Sequence, residues 1–96
     1  MIKHIVLYKL TNPTAEVMAE TKAVLLSMVG KVPEIIDIEV GCDILHSDRS
    51  YDMSLIVTLE SLATMDTYQA NPYHCEVVKS HMASVRESAI AIDYEV

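Results

Sequence analysis

The sequence predicts a single α+β domain of order βαββαβ, in which two helices cover one face of a four-stranded antiparallel sheet. Three observations predict it. Four segments alternate with a period of two. Two segments repeat every three to four residues. An Asn-Pro pair cuts the second helical segment in two. Ninety-six residues are enough for one such domain and too few for two.

Residues 2–10 read as the first strand. Ile2, His4, Val6, Tyr8 and Leu10 share one face, and Lys3, Ile5, Leu7 and Lys9 share the other. Both faces carry apolar residues, so this strand is expected to have cover on both sides. Asn12-Pro13 then predicts a helix start, with Asn12 as cap and Pro13 in the first helical position. Val17, Thr21, Val24, Leu25 and Met28 form its apolar stripe. Gly30 is the expected C-cap, and Pro33 prevents resumption.

Residues 35–45 predict a second strand, with Ile36, Ile38, Val40, Cys42 and Ile44 on one face. Asp37, Glu39 and Asp43 lie on the other, and Gly41 is a candidate bulge. The polar run from His46 to Ser50 reads as a loop. A third strand follows, with Tyr51, Met53, Leu55, Val57 and Leu59 in alternation. Ser61 is the expected cap of a helix running to about Ala70. Asn71-Pro72 ends that helix and starts another, whose stripe is Val77, Val78, His81, Met82 and Val85. Residues 89–95 close the sheet as a fourth strand. This order is the ferredoxin-like arrangement. No repeat, linker or low-complexity segment interrupts it.

Composition adds what lies outside the chain. Hydrophobic residues make up 51%, more than one face of a small sheet absorbs, so a second copy is expected against the open face. Two such sheets face to face form a dimeric α/β barrel, with an interior between the subunits. The net charge is −7, which opposes binding to nucleic acid or to an anionic membrane surface. No apolar run approaches the length of a membrane helix. The opening apolar stretch stops at Lys9 without a small-residue cleavage site, so no signal peptide is expected. Cys42 and Cys75 match no metal or redox spacing and are expected to be free, packed thiols, which suits a cytoplasmic setting.

The stretch from Ile2 to Leu10 resembles the first strand of the stress-responsive dimeric α/β-barrel (Dabb) family. The stretch Tyr68-Gln69-Ala70-Asn71-Pro72-Tyr73-His74 resembles the family's Tyr-x-x-x-Pro-x-His signature, and Ile90-Ala91-Ile92-Asp93-Tyr94 resembles its last strand. The resemblance spans nearly the whole chain and implies the same homodimeric barrel. Many members have no defined role beyond stress response. One plant member closes a linear polyketide by an aldol-type condensation, using a Tyr and a His that match Tyr68 and His74. A His matching His4 faces its cavity.

The candidate site residues are therefore His74 and Tyr68 as catalytic groups, with His4 and Tyr8 as ligand-binding groups. The Asn71-Pro72 break can turn Tyr68 and His74 toward one end of the barrel. A neutral imidazole can remove a proton beside a carbonyl, and a phenol can hydrogen-bond the enolate oxygen. The expected ligand is a small apolar or carbonyl compound. A structural role is the alternative, in which Tyr68 and His74 hold the helix break through mutual or backbone hydrogen bonds. A metal held by His4, His74 and His81, with Asp37 or Glu39, would lack the usual ligand spacing, so no metal is expected and no cofactor.

Two functions remain open on this reading. One is a binding or stress-response module without turnover, for which Met53, Leu55 and Val57 would fill the interior at the dimer axis. The other is an enzyme acting on a small carbonyl or polyketide-like compound, for which an open apolar pocket would bring His and Tyr together.

Overall fold

A computed structural model describes all residues from 1 to 96. Strand β1 (Ile2–Leu10) leads to helix α1 (Ala15–Leu26), then β2 (Asp37–Cys42) and β3 (Met53–Leu59). Helix α2 (Leu62–Ala70) follows. A π-helical segment (His74–Lys79) runs directly into α3 (Ser80–Val85), and β4 (Arg86–Glu95) ends the chain. The sheet is antiparallel with strand order β2-β3-β1-β4, the ferredoxin-like topology expected from the element order.

Alternation along β1 is strict. Ile2, His4, Val6, Tyr8 and Leu10 are all buried beneath the helices, and the residues between them are half-buried. The helix-side face of β3 completes the core, with Met53, Leu55, Val57 and Leu59 almost inaccessible against Leu25, Met28, Val32, Val78 and Met82. Met53, Leu55 and Val57 thus pack within the subunit, not at a dimer axis. Period-two alternation separates two faces without saying which one the helices take.

Several boundaries differ from the sequence reading for local reasons. Thr14, not Asn12, caps α1: its hydroxyl accepts from the Val17 amide at 3.1 Å, and Ala15 becomes the first helical residue. Both residue types cap well, and the later one lies nearer the apolar stripe. Gly30 has φ of +81°, but it closes the turns after α1 and does not cap the helix directly. Strand β2 is shorter than 35–45 at both ends, and Ile36 and Ile44 fall outside it and are exposed. Strand β4 begins at Arg86, three residues earlier than expected, since α3 passes into it without a loop. Cys42 and Cys75 are free but exposed, not packed.

The sheet face away from the helices is bare and apolar at its centre. Ile5 lies between Ile56 and Ile92, Leu7 beside Ile90, and Lys3 beside Tyr94. Ile90 and Ile92 are 49% and 59% exposed, so β4 offers this face nothing but solvent for cover. No helix is long and apolar enough to cross a membrane.

Candidate functional site

The site grows from the second helical break. Ser61 caps α2 by accepting from the Thr64 amide at 3.2 Å. Helix α2 stops at Ala70, and the Asn71 side-chain oxygen accepts from the amides of Tyr73 at 2.9 Å and His74 at 3.2 Å. Asn71 therefore ends one helix and caps the next, as the Asn-Pro pair predicts. The following turn is π-helical, a wider winding that often accompanies functional sites. Tyr68 on one side of the break and His74 on the other both face the sheet, where β1 presents His4 and Tyr8.

These four side chains line one cavity of about 460 Å³, with Val6, Leu55, Val78 and Met82 supplying apolar wall. The cavity lies between the sheet and the helices of a single subunit. It is not the interior between two sheets, because His4 and Tyr8 point to the helix side of β1. The Tyr68 ring packs against both imidazoles: its centroid is 4.4 Å from that of His74, tilted by 40°, and 5.9 Å from that of His4, edge-on.

Each polar group has a distinct state. His4 donates from Nδ1 to the Asp93 carboxylate at 2.5 Å, across the β1–β4 register that pairs the two residues. A carboxylate only accepts, so this contact places a proton on Nδ1. In the neutral ring, Nε2 then carries a lone pair. His74 is buried, and its Nδ1 has no hydrogen-bond partner. Burial lowers its pKa below the ordinary 6.5. The Lys79 ammonium and His4 lower it further, and the Gln69 carbonyl opposes them. The imidazole is consequently neutral at pH 7.

The two phenols differ. Tyr68 is wholly buried, and its hydroxyl points to the Met28 sulfur at 3.9 Å, a weak acceptor. Burial pushes its pKa above the usual 10, and Tyr8 adds to the effect. Burial also pushes Tyr8 up to about 12, with the Arg86 guanidinium opposing. Tyr8 lines the cavity, and its hydroxyl makes no protein hydrogen bond, although the atom is not sealed from solvent. It is a protonated donor without a partner.

His81 stands apart from this group. It pairs with Thr21 at 3.0 Å between α3 and α1. His46 occupies the exposed loop after β2 at φ of +55°. No three His, Cys, Asp or Glu side chains gather as a metal site would require. Sequence reading did not single out Gln69, Lys79 or Arg86 at the cavity, or Asp93 behind His4. Asp93 was detectable in principle, since it continues the Ala89, Ala91 face of β4 that meets β1.

Comparison with known proteins agrees with this architecture. The family model for the stress responsive A/B barrel domain (Dabb) matches residues 2–96. No curated protein matches the chain. A dimeric protein of ferredoxin-like fold from Bacteroides fragilis is 28% identical, with a TM-score of 0.84, covering 99% of this chain and 95% of that one. A dimeric ferredoxin-like protein from Thermobifida fusca is 20% identical, with a TM-score of 0.85 over 99% and 90%. Hydroxynitrile lyase from Passiflora edulis is 18% identical, with a TM-score of 0.83 over 99% and 92%.

Proposed function

This chain belongs to the Dabb family, and we propose that it acts as a homodimer whose subunits each bind a small carbonyl compound and transfer a proton beside its carbonyl. The observation that carries this reading is the cavity in which His4, Tyr8, Tyr68 and His74 converge within an apolar wall. His74, neutral at pH 7, takes the proton from the carbon beside the carbonyl. The Tyr8 hydroxyl donates to the enolate oxygen that forms. The donor role expected of Tyr68 passes to Tyr8 in this proposal, because the Tyr68 hydroxyl is engaged with Met28. The Tyr68 ring then packs against both imidazoles. His4, held by Asp93, adds a polar contact for the ligand at the cavity wall.

The homodimer rests on the bare sheet face formed by Ile5, Leu7, Ile56, Ile90 and Ile92. A second copy offers the same apolar patch in self-complementary form. The dimeric relatives of the same fold support this choice. The fold also hosts a lyase in Passiflora edulis, which supports no particular substrate here.

A second reading, a stress-response or ligand-binding module without turnover, is favoured by the burial of the Tyr68 hydroxyl against Met28. Deuterium exchange at the carbon beside the carbonyl of small ketones and oxo acids, followed by proton NMR in heavy water, separates the two. The enzyme reading expects exchange above the buffer rate, lowered about 100-fold or more in His74→Ala and also lowered in Tyr8→Phe. Binding with exchange at the buffer rate would leave the non-catalytic reading in its place.

A further inference from the structure

The polar rim of the cavity carries information about its ligand. The chain has 7 basic and 14 acidic residues. The cavity lining nevertheless includes two cations, Lys79 and Arg86, and no carboxylate. Both cations are exposed at the rim, and neither is paired with an acid: the ion pairs in the molecule all involve histidines. Lys79 donates only to the Gln69 carbonyl, at 3.4 Å, and Arg86 makes no side-chain hydrogen bond.

The position of Arg86 follows from an irregularity in the sheet. Strands β1 and β4 pair in unbroken register from Ile2 opposite Glu95 to Lys9 opposite Ser88. The next pair is then Leu10 opposite Arg86. A continuous ladder would set Glu87 opposite Leu10, on the side of the sheet that holds Tyr8 and the cavity. The bulge inserts one residue and gives that place to Arg86. Bulges commonly re-aim a side chain beside a site. Here the consequence is a change of sign, with a guanidinium on the cavity side where regular pairing would direct a carboxylate. Arg86 lines the same cavity as Tyr8, so the cation shares the space of the unpartnered donor, and its charge opposes the rise that burial gives the Tyr8 pKa.

We propose that the ligand of this cavity is a small oxo acid, whose carboxylate is held at the rim by Arg86 with Lys79 adding positive potential, and whose carbonyl reaches Tyr8 and His74. This rests on the carbonyl-binding reading above and narrows its substrate class. A planar guanidinium suits a carboxylate through paired hydrogen bonds. Anchoring one end of a short molecule at the rim also limits which carbon meets His74.

The test is calorimetric titration of the protein with 2-oxobutanoate and with 2-oxobutanamide, which keeps the ketone and loses the charge. The acid should bind wild type about tenfold more tightly than the amide, as one charge-assisted contact would give. That preference should shrink in Arg86→Gln, and added salt should weaken it. Lys79→Gln serves as a second variant at an exposed position, should Arg86→Gln disturb the bulge. Equal affinities for acid and amide in wild type would overturn the oxo-acid proposal while leaving the carbonyl site standing. A preference that survives both substitutions would overturn the assignment to these cations. Absence of binding by either compound would overturn the proposal together with the proposed function beneath it.

Discussion

At His74 the decisive property is burial without an ionic partner. The folded chain holds its pKa below 6.5, whereas the unfolded chain keeps the ordinary value. Between those two values the unfolded state binds a proton that the folded state does not. Stability therefore falls as pH drops through 6.5 toward the folded pKa, and is fully present above 6.5. Thermal melts of wild type and His74→Gln, measured from roughly pH 7.5 down to 5.5, should show a smaller acid loss in the variant. A catalytic His74 gives an acid limb of kcat/KM below 6.5 as well. His4, Tyr68 and His74 were legible as candidates through the resemblance to the Dabb signature, and Tyr8 through sharing the His4 face of β1; alternation along β1 and the Asn-Pro break gave only their placement. The fate of the Tyr68 hydroxyl was not legible, since its partner Met28 lies 40 positions away in the chain. Tyr68→Phe should accordingly cost less than about 1 kcal/mol in a denaturant titration, because a sulfur is a weak acceptor.

Among the elements, the helix break carries the most consequence. Asn71 accepts two amide hydrogens from the turn that positions His74. Asn71→Ala should lower stability by about 1 kcal/mol, measured by urea unfolding, and should weaken ligand binding through the loosened imidazole. Asn71→Ser should restore most of the stability, which a purely steric effect would not allow. This break was readable because Pro restricts the residue before it and Asn caps the helix after it. The β1–β4 bulge was not readable. It depends on register between segments more than seventy residues apart, and Arg86-Glu87-Ser88 resembles an ordinary polar connection. The first helix shows how close the competition can be: Asn12 and Thr14 are both sound caps, and nearness to the apolar stripe favours Thr14.

For the whole molecule, the sheet divides two tasks. Its helix side closes a core and leaves a cavity, and its other side offers an apolar surface for a second copy. The ferredoxin-like order was legible from six periodic segments in sequence. Which face the helices take was not, and so Met53, Leu55 and Val57 were expected at the dimer axis when they pack beneath the helices of one subunit. A single charge on the bare face should separate the two tasks. Ile92→Lys should convert the dimer to a monomer in sedimentation at micromolar concentration. It should leave the cavity side of the sheet unaltered, because Ile92 points away from it. A wild-type monomer at that concentration would contradict the assigned role of the bare face.

The most direct measurement on the site itself is long-range proton–nitrogen NMR of the four histidine rings during titration with 2-oxobutanoate. The expected result is perturbation of His74 and His4, with His46 and His81 unmoved, and a His74 midpoint below 6.5 in the free protein. A ligand that shifts His46 or His81 as much as His74, or leaves His74 unchanged, would contradict the placement of carbonyl binding in this cavity.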